Sequence, residues 1–187
     1  SHGLDPGACL QKAGLQAVKE AVFLEKAGFE GLIIENFGDA PFYKTRVPEE
    51  TVASLAVIAA AVREASRLPL GINILRNDSL AALAVASVTS CQFIRVNVLS
   101  GVAATDQGMI EGDAAGLMRS RDRLHAHVAI LADVHVKHAL SLSSRDIALG
   151  VEEAALRSGA DGVIVSGATT GRPVDIQDLE RAALAAQ

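Results

Sequence analysis

Hydrophobic positions along the chain fall into two alternating patterns. Short runs rich in β-branched residues, at 31–36 (GLIIEN), 70–75 (LGINIL), 93–98 (FIRVNV), 128–135 (VAILADVH) and 162–166 (GVIVS), carry almost no charge until their ends. Such runs predict parallel strands covered on both faces. Between them lie alanine- and leucine-rich stretches bounded by helix signals. Asp5 and Pro6 predict the start of a helix reaching about residue 27, and Gly28 supplies a left-handed stop. Further helices are predicted from Pro48 and Glu49 to about Ser66, over 79–87 behind Asn77 or Asp78, and from Asp113 to about Leu124. Two more run from Asp146 to 158–159 and onward from Asp175, where Asp178 completes a capping-box pattern. Strand starts lie 23 to 39 residues apart, the length of a βα unit, which implies a parallel sheet with right-handed crossovers.

Polar residues within the strands separate an open doubly wound sheet from a (β/α)8 barrel. Side chains alternate between faces with a period of two. One face carries Leu32, Ile34, Ile72, Ile74, Ile94, Val96, Val98, Ile130, Ala132, Val134, Val163 and Val165, all apolar and suited to packing against helices. The other begins with Ile33, Gly71, Phe93, Leu131 and Ile164 and turns polar towards the strand ends, at Glu35, Asn73, Arg95, Asn97, Asp133, His135 and Ser166. Helices over both faces would bury that polar ring at high cost, whereas a barrel interior opens it to the C-terminal rim where barrel active sites sit. The fold class read from the sequence is therefore α/β, of the (β/α)8 TIM-barrel type. A closed barrel takes about 250 residues. The 187 residues here hold five strand runs, so 1–187 is expected to form a single, partial barrel domain of about five βα units. One strand is expected before Asp5 and two units after Gln187.

Loops following the strands add candidate chemistry. The 37–47 loop (FGDAPFYKTRV) holds three of the six aromatic residues, and 76–78 (RND) follows the second strand. The 100–111 stretch (SGVAATDQGMIE) is read as a glycine-bearing loop with Asp106 and Glu111. Lys137 and His138 follow the fourth strand, and 166–172 (SGATTGR) offers small residues, Gly167 among them, whose backbone N–H groups can approach an anion. Several residues admit two readings. Arg95 between Glu35 and Asp133 is either a ligand-binding cation or a buried ion network that only shapes the interior. His135, two residues from Asp133 on the same face, is either an oriented general acid/base or a hydrogen-bonded core histidine. Glu35, Asp133 and His135 together offer mixed ligands for a divalent metal, without any recognised metal-site spacing. His125 and His127 precede the fourth strand and are expected on the opposite, N-terminal face, and Cys9 and Cys91 read as ordinary core or surface thiols.

Composition narrows the classes further. Half the residues are apolar, 21% are charged and the net charge is −5, without a basic tract. That argues against nucleic-acid binding, and no apolar run approaches the roughly 18 residues of a membrane span. Two distant cysteines fit a reducing compartment, so a cytoplasmic location is expected.

The strings GFEGLIIENFGDAPFYK, PLGINILRND, FIRVNVLSG with TDQGMIEG, ILADVHVKH and ADGVIVSGATTG occur in order between about Gly28 and Asp178. Together they resemble the BtpA family (BtpA/SgcQ-like proteins). The resemblance implies a TIM barrel of the ribulose-phosphate-binding class. It also implies functional roles for the motif residues Glu35, Asn36, Asn73, Arg95, Asn97, Asp106, Glu111, Asp133, His135, Lys137 and Ser166. Two functions follow as expectations. The first is an enzyme acting on a small anionic, phosphosugar- or nucleotide-like substrate. Its catalytic residues would be Asp133, His135, Glu35 and Lys137; Asn36, Asn73, Arg95, Asn97, Asp106, Glu111, Ser166 and Gly167 would bind substrate, and a divalent metal is open. The second is a non-catalytic assembly factor, as in photosystem I biogenesis, held peripherally on a membrane through a protein partner, with homo-oligomers also open.

Overall fold

A computed structural model of the chain describes residues 6–143, 146–167 and 171–186; the expected N-cap Asp5 lies outside the described residues. In chain order the elements are α1 (Pro6–Lys26), β1 (Leu32–Glu35), α2 (Glu49–Ala65), β2 (Leu70–Asn73), α3 (Ser79–Val88), β3 (Phe93–Val96), β4 (Val102–Thr105), β5 (Gly108–Glu111), α4 (Ala114–Arg123), β6 (Ala129–Val134), β7 (Ala139–Ser141), α5 (Ile147–Glu152), β8 (Gly162–Val165) and α6 (Ile176–Ala185). Strands β1, β2, β3, β6 and β8 form one sheet in that spatial order, every neighbouring pair parallel. The order never reverses, unlike that of a doubly wound sheet. Right-handed crossovers that always advance the same way place the helices on one face, as in the wall of a (β/α) barrel.

That face is the apolar one. Ile72, Ile94, Ile130 and Ala132 have no exposed surface, and they join Leu55, Val62, Leu83, Leu117 and Val151 from the helices in one core. The inner face is looser: Ile33 is 41% exposed. A side chain at Gly71 would overlap the Phe93 ring, which fills the inner face there. Helix ends follow the acidic caps. Asp78, Asp113, Asp146 and Asp175 each accept a backbone N–H from the first turn of α3, α4, α5 and α6, which satisfies donors that helix starts leave unpaired. Asp178 lies 4.0 Å from Arg181 within α6. Gly28, at φ +89°, stops α1 as expected.

Three regions depart from the sequence reading. The 100–111 stretch is not a loop. It forms the β4–β5 hairpin, to which β7 adds antiparallel in the register Ala103↔Ser141 and Thr105↔Ala139, making a second, three-stranded sheet. Val98, Ala103, Ile110 and Val136 give this sheet its own small core. All five strand runs stop one or two residues earlier than expected, at Glu35, Asn73, Val96, Val134 and Val165, and after the third and fourth the chain sends Val98 and Val136 into the hairpin's core. Finally, the 146–158 helix is α only to Glu152 and continues as a π turn over Glu153–Arg157. Gly150 lets α5 sit close on β6, since a Cβ there would come within 2.8 Å of Val134 Cγ1.

Two outcomes follow. A Cβ on Gly112 would overlap the Leu99 carbonyl, backbone that cannot rotate away. Gly112→Ala is therefore expected to lower unfolding free energy by about 1–3 kcal/mol in denaturant titrations, against little change for Gln107→Ala in the hairpin turn. Cys9 is exposed, whereas Cys91 is 3% exposed and burial pushes its thiol up. A thiol reagent should therefore label one cysteine rapidly in the native protein and the second only on unfolding.

Candidate active site at the C-terminal mouth

Period-two alternation delivers the polar residues to the inner face at the ends of adjacent strands. Glu35 is in register with Asn73, Arg95 follows on β3, and Asp133 lies on β6 two residues beyond Leu131, the partner of Arg95. They form a continuous hydrogen-bonded chain. Asn73 Nδ2 and Arg95 Nη1 both donate to Glu35 Oε1, each at 3.0 Å. Arg95 Nη2 and Nε donate to Asp133 Oδ2 at 3.0 and 3.1 Å, and Asn97 Nδ2 donates to the same oxygen at 2.7 Å. The Asp133 side chain is wholly buried, while Arg95 and Glu35 keep 20% and 24% of their side-chain surface. Burial pushes the Asp133 carboxyl above the ordinary carboxylate range, against the opposing pull of Arg95 and Asn97. For Arg95 burial works downward, and Asp133 and Glu35 more than reverse it, so the guanidinium is held charged more firmly than usual. Arg95 thus stands in the expected ion network, and it also lines the cavity above it.

Above this chain opens a cavity of about 440 Å³. Glu35, Arg95 and Asn97 line its base; Phe37, Phe42, Arg76, Asp106, Lys137 and His138 come from the loops and the hairpin tip. Phe37 and Phe42 pack with ring centroids 6.3 Å apart. Arg76 is 8% exposed, its Nη2 donates to the Lys137 carbonyl at 2.7 Å, and its backbone N–H donates to the Tyr43 carbonyl at 3.0 Å. Burial lowers its guanidinium value, opposed by the nearby charges of Asp106 and Asp133. Its position is built by neighbours. Asn36 Oδ1 accepts Leu75 N–H at 2.7 Å, Asn77 Oδ1 accepts Val98 N–H at 2.8 Å, and Asp78 Oδ2 accepts Val47 N–H at 2.9 Å. The 76–78 segment thus ties together the loops after β1, β2 and β3.

The expected site residues divide accordingly. Glu35, Arg95, Asn97, Asp106 and Lys137 meet at the mouth, with Asn73 and Asp133 as the supporting wall. Asn36 does not line the cavity; its amide is spent on the Leu75 backbone and Asp39. Glu111 is exposed in β5 opposite Val102, away from the mouth, because the segment is a strand and not a loop. His135 follows the end of β6 with φ +56°, which breaks the alternation. It lines a separate small cavity under the hairpin, beside Gly150 of α5. Ser166 lies just past β8 and its Oγ is buried without a partner among the described residues. A Cβ on Gly167 would overlap the carbonyls of Arg172 and Pro173, so the chain's own backbone packs closely on this glycine; the rest of that loop, 168–170, lies outside the described residues. No cluster of three or more His, Cys, Asp or Glu suited to a metal occurs among the described residues. The set Glu35, Asp133 and His135 does not converge, since Arg95 stands between the carboxylates and His135 turns away. His125 and His127 are exposed at the opposite end, as expected. Arg76 and His138 were not among the expected site residues; their signal was their place directly after strand runs.

Comparison with known proteins agrees with this architecture. The BtpA family profile matches residues 8–187. A protein of Thermococcus kodakarensis is 52% identical over 164 residues, covering 87% of this chain and 61% of its own length. The photosystem I biogenesis protein BtpA of Synechocystis is 48% identical over 172 residues, covering 92% of this chain and 60% of its own. The chain therefore spans about three fifths of the length of these relatives. Among solved structures, 2,3-dimethylmalate lyase, a PEP mutase/isocitrate lyase superfamily member, aligns with a TM-score of 0.50 at 13% identity, over 81% of this chain and 56% of that one. That likeness concerns the fold alone. The family profile and the identities speak together, and the chain belongs to the BtpA family.

Proposed function

We propose that the protein is an enzyme that binds a small anionic substrate, phosphosugar- or nucleotide-like, at this mouth and acts on it by acid/base chemistry. One observation carries the reading. The Lys137 side chain lines a ligand-sized cavity and pairs with no carboxylate among the described residues, while Arg76 anchors the Lys137 backbone beside it. Arg95, already neutralised, acts as scaffold, so anion recognition falls to Lys137 and Arg76. Glu35 is the carboxylate of the chain that remains partly exposed, and both of its bonds fall on Oε1. Acid/base work is assigned to Glu35 and to His138, which lines the same cavity, in place of the buried Asp133 and the displaced His135.

A second reading rests on the Synechocystis relative, named for photosystem I biogenesis. It makes the fold a platform for a protein partner, reached through exposed apolar side chains such as Phe23 and Leu156, at 70% and 80% exposure. No helix among the described residues is long and apolar enough to cross a membrane, so membrane attachment would use such a partner.

Sugar phosphates and nucleotides screened by thermal shift should yield at least one ligand whose affinity falls about tenfold or more in Lys137→Ala with stability unchanged. A broad panel without any shift overturns the enzyme reading, and a biogenesis role that survives Glu35→Gln and Lys137→Ala favours the platform. Arg95→Met should instead cost about 3 kcal/mol of stability, since it leaves Asp133 buried and uncompensated. The sign with pH is set by Asp133, whose folded value lies above its unfolded one. Stability held by its neutral form is complete below about pH 4 and is lost as pH rises through the folded value. The deficit of Arg95→Met should therefore shrink on acidification, measured by denaturant titration across pH.

A further inference from the structure

Beneath the β4–β5 hairpin, separate from the mouth, lies a cavity of about 60 Å³ walled by Asn97, Asp133, Ser143, Val136 and Glu153. Asn97 is 3% exposed, and its Nδ2 is committed to Asp133 at 2.7 Å. That bond fixes which way the amide lies, and Oδ1 is left buried with no partner among the described residues. A buried carbonyl oxygen without a donor carries a penalty that structures seldom leave uncompensated. Ser143 Oγ accepts the Val102 N–H at 2.9 Å and keeps a further lone pair. Glu153 is half-buried and meets no cation among the described residues. It opens the π turn Glu153–Arg157, a distortion of α5 of the kind found at functional positions. The His135 ring and the hydroxyls of Ser100, Ser141 and Ser143 share this wall, and beside them Asn97 Oδ1 and the Glu153 carboxylate present acceptors.

We propose that this cavity binds one monovalent inorganic cation through the oxygens of Asn97, Ser143 and Glu153. The charge balance selects the class. Asp133 is matched by Arg95, and among the described residues Glu153 is the carboxylate of this wall that forms no ion pair, with the His135 ring as the other titratable group there. Calcium and magnesium sites gather several carboxylates or carry multiple waters, for which this volume has little room. The same ion would relieve the burial of Asp133, whose carboxyl stays pushed up despite Arg95 and Asn97. Its role is structural: it fastens the hairpin and α5 to the end of β6 and so holds the wall on which Arg95 rests. This site stands independently of the substrate reading.

Thermal unfolding at constant ionic strength tests it, with potassium, sodium or ammonium chloride compared with tetramethylammonium chloride, whose cation is too large to enter. The wild-type protein should gain about 3 °C or more in a small cation, saturating with concentration. Glu153→Gln, a change at a half-buried surface position, should lose that gain while keeping its midpoint in tetramethylammonium, and Asn97→Leu should lose it as well. Rubidium-soaked crystals should show anomalous density between Asn97 and Glu153. A wild-type midpoint equal in all four salts, as a resident water would give, overturns the proposal. So does an undiminished gain in Glu153→Gln, or stabilisation by magnesium or calcium alone.

Discussion

The ion chain through Arg95 is the constraint on which the mouth depends. Asp133 has no exposed side-chain surface, and an isolated carboxylate at that depth is not tolerable without a partner. Glu35, on the far side of β2, would add a like charge across the same space. One guanidinium bonded to both converts two repelling groups into a tie across β1, β3 and β6, and Asn73 and Asn97 occupy the lone pairs at its ends. A planar fork suits this task; a lysine could not present parallel donors to two carboxylates at once. The consequence for function is direct. A cation whose charge is consumed holding a wall together is poorly placed to capture a substrate, which is why the proposed reading assigns recognition to the loops.

Those loops are held more firmly than their irregular course suggests. Asn36, Asn77 and Asp78 each accept a backbone N–H from a neighbouring segment, so three successive strand ends are stitched to one another by side chains. The antiparallel sheet contributes differently. Its small core of Val98, Ala103, Ile110 and Val136 is made partly from residues that continue the parallel strands, so the hairpin is anchored by the strand ends it overlies. Asp106 at its tip thereby stands over Arg76 and Lys137 from a fixed base. Rigid support behind functional side chains is what precise ligand placement requires.

Much of this was legible in the chain, for identifiable reasons. Strand positions and the division into an apolar and a polar face follow from strict alternation, and Glu35, Asn73, Arg95 and Asp133 arrive together because that alternation persists to the strand ends. The acidic caps at Asp78, Asp113, Asp146 and Asp175 were equally plain. Alternation fails as a guide once a strand stops. His135 shares parity with Asp133, yet a left-handed backbone at φ +56° sends it to another cavity. The hairpin was invisible because its strands are four residues each, alanine-rich in one and opened by glycine in the other, a composition that reads as loop. Arg76 could not be ranked above the other loop cations, since its placement depends on contacts from Tyr43 and Lys137, 33 and 61 residues away in the chain.

The division between wall and rim also explains why the architecture by itself says little about chemistry. The 2,3-dimethylmalate lyase likeness extends over 81% of this chain at 13% identity, which is what shared strand-and-helix geometry produces without shared side chains. Within this chain the same separation recurs. Strand residues such as Arg95 and Asp133 are answered by one another, and exchanging them would disturb the fold first. Lys137, Asp106 and His138 hang from loops and the hairpin tip, where a substitution leaves the ion chain intact. Outer positions can thus be exchanged without disturbing the ion chain, and the inner chain is the floor on which they stand.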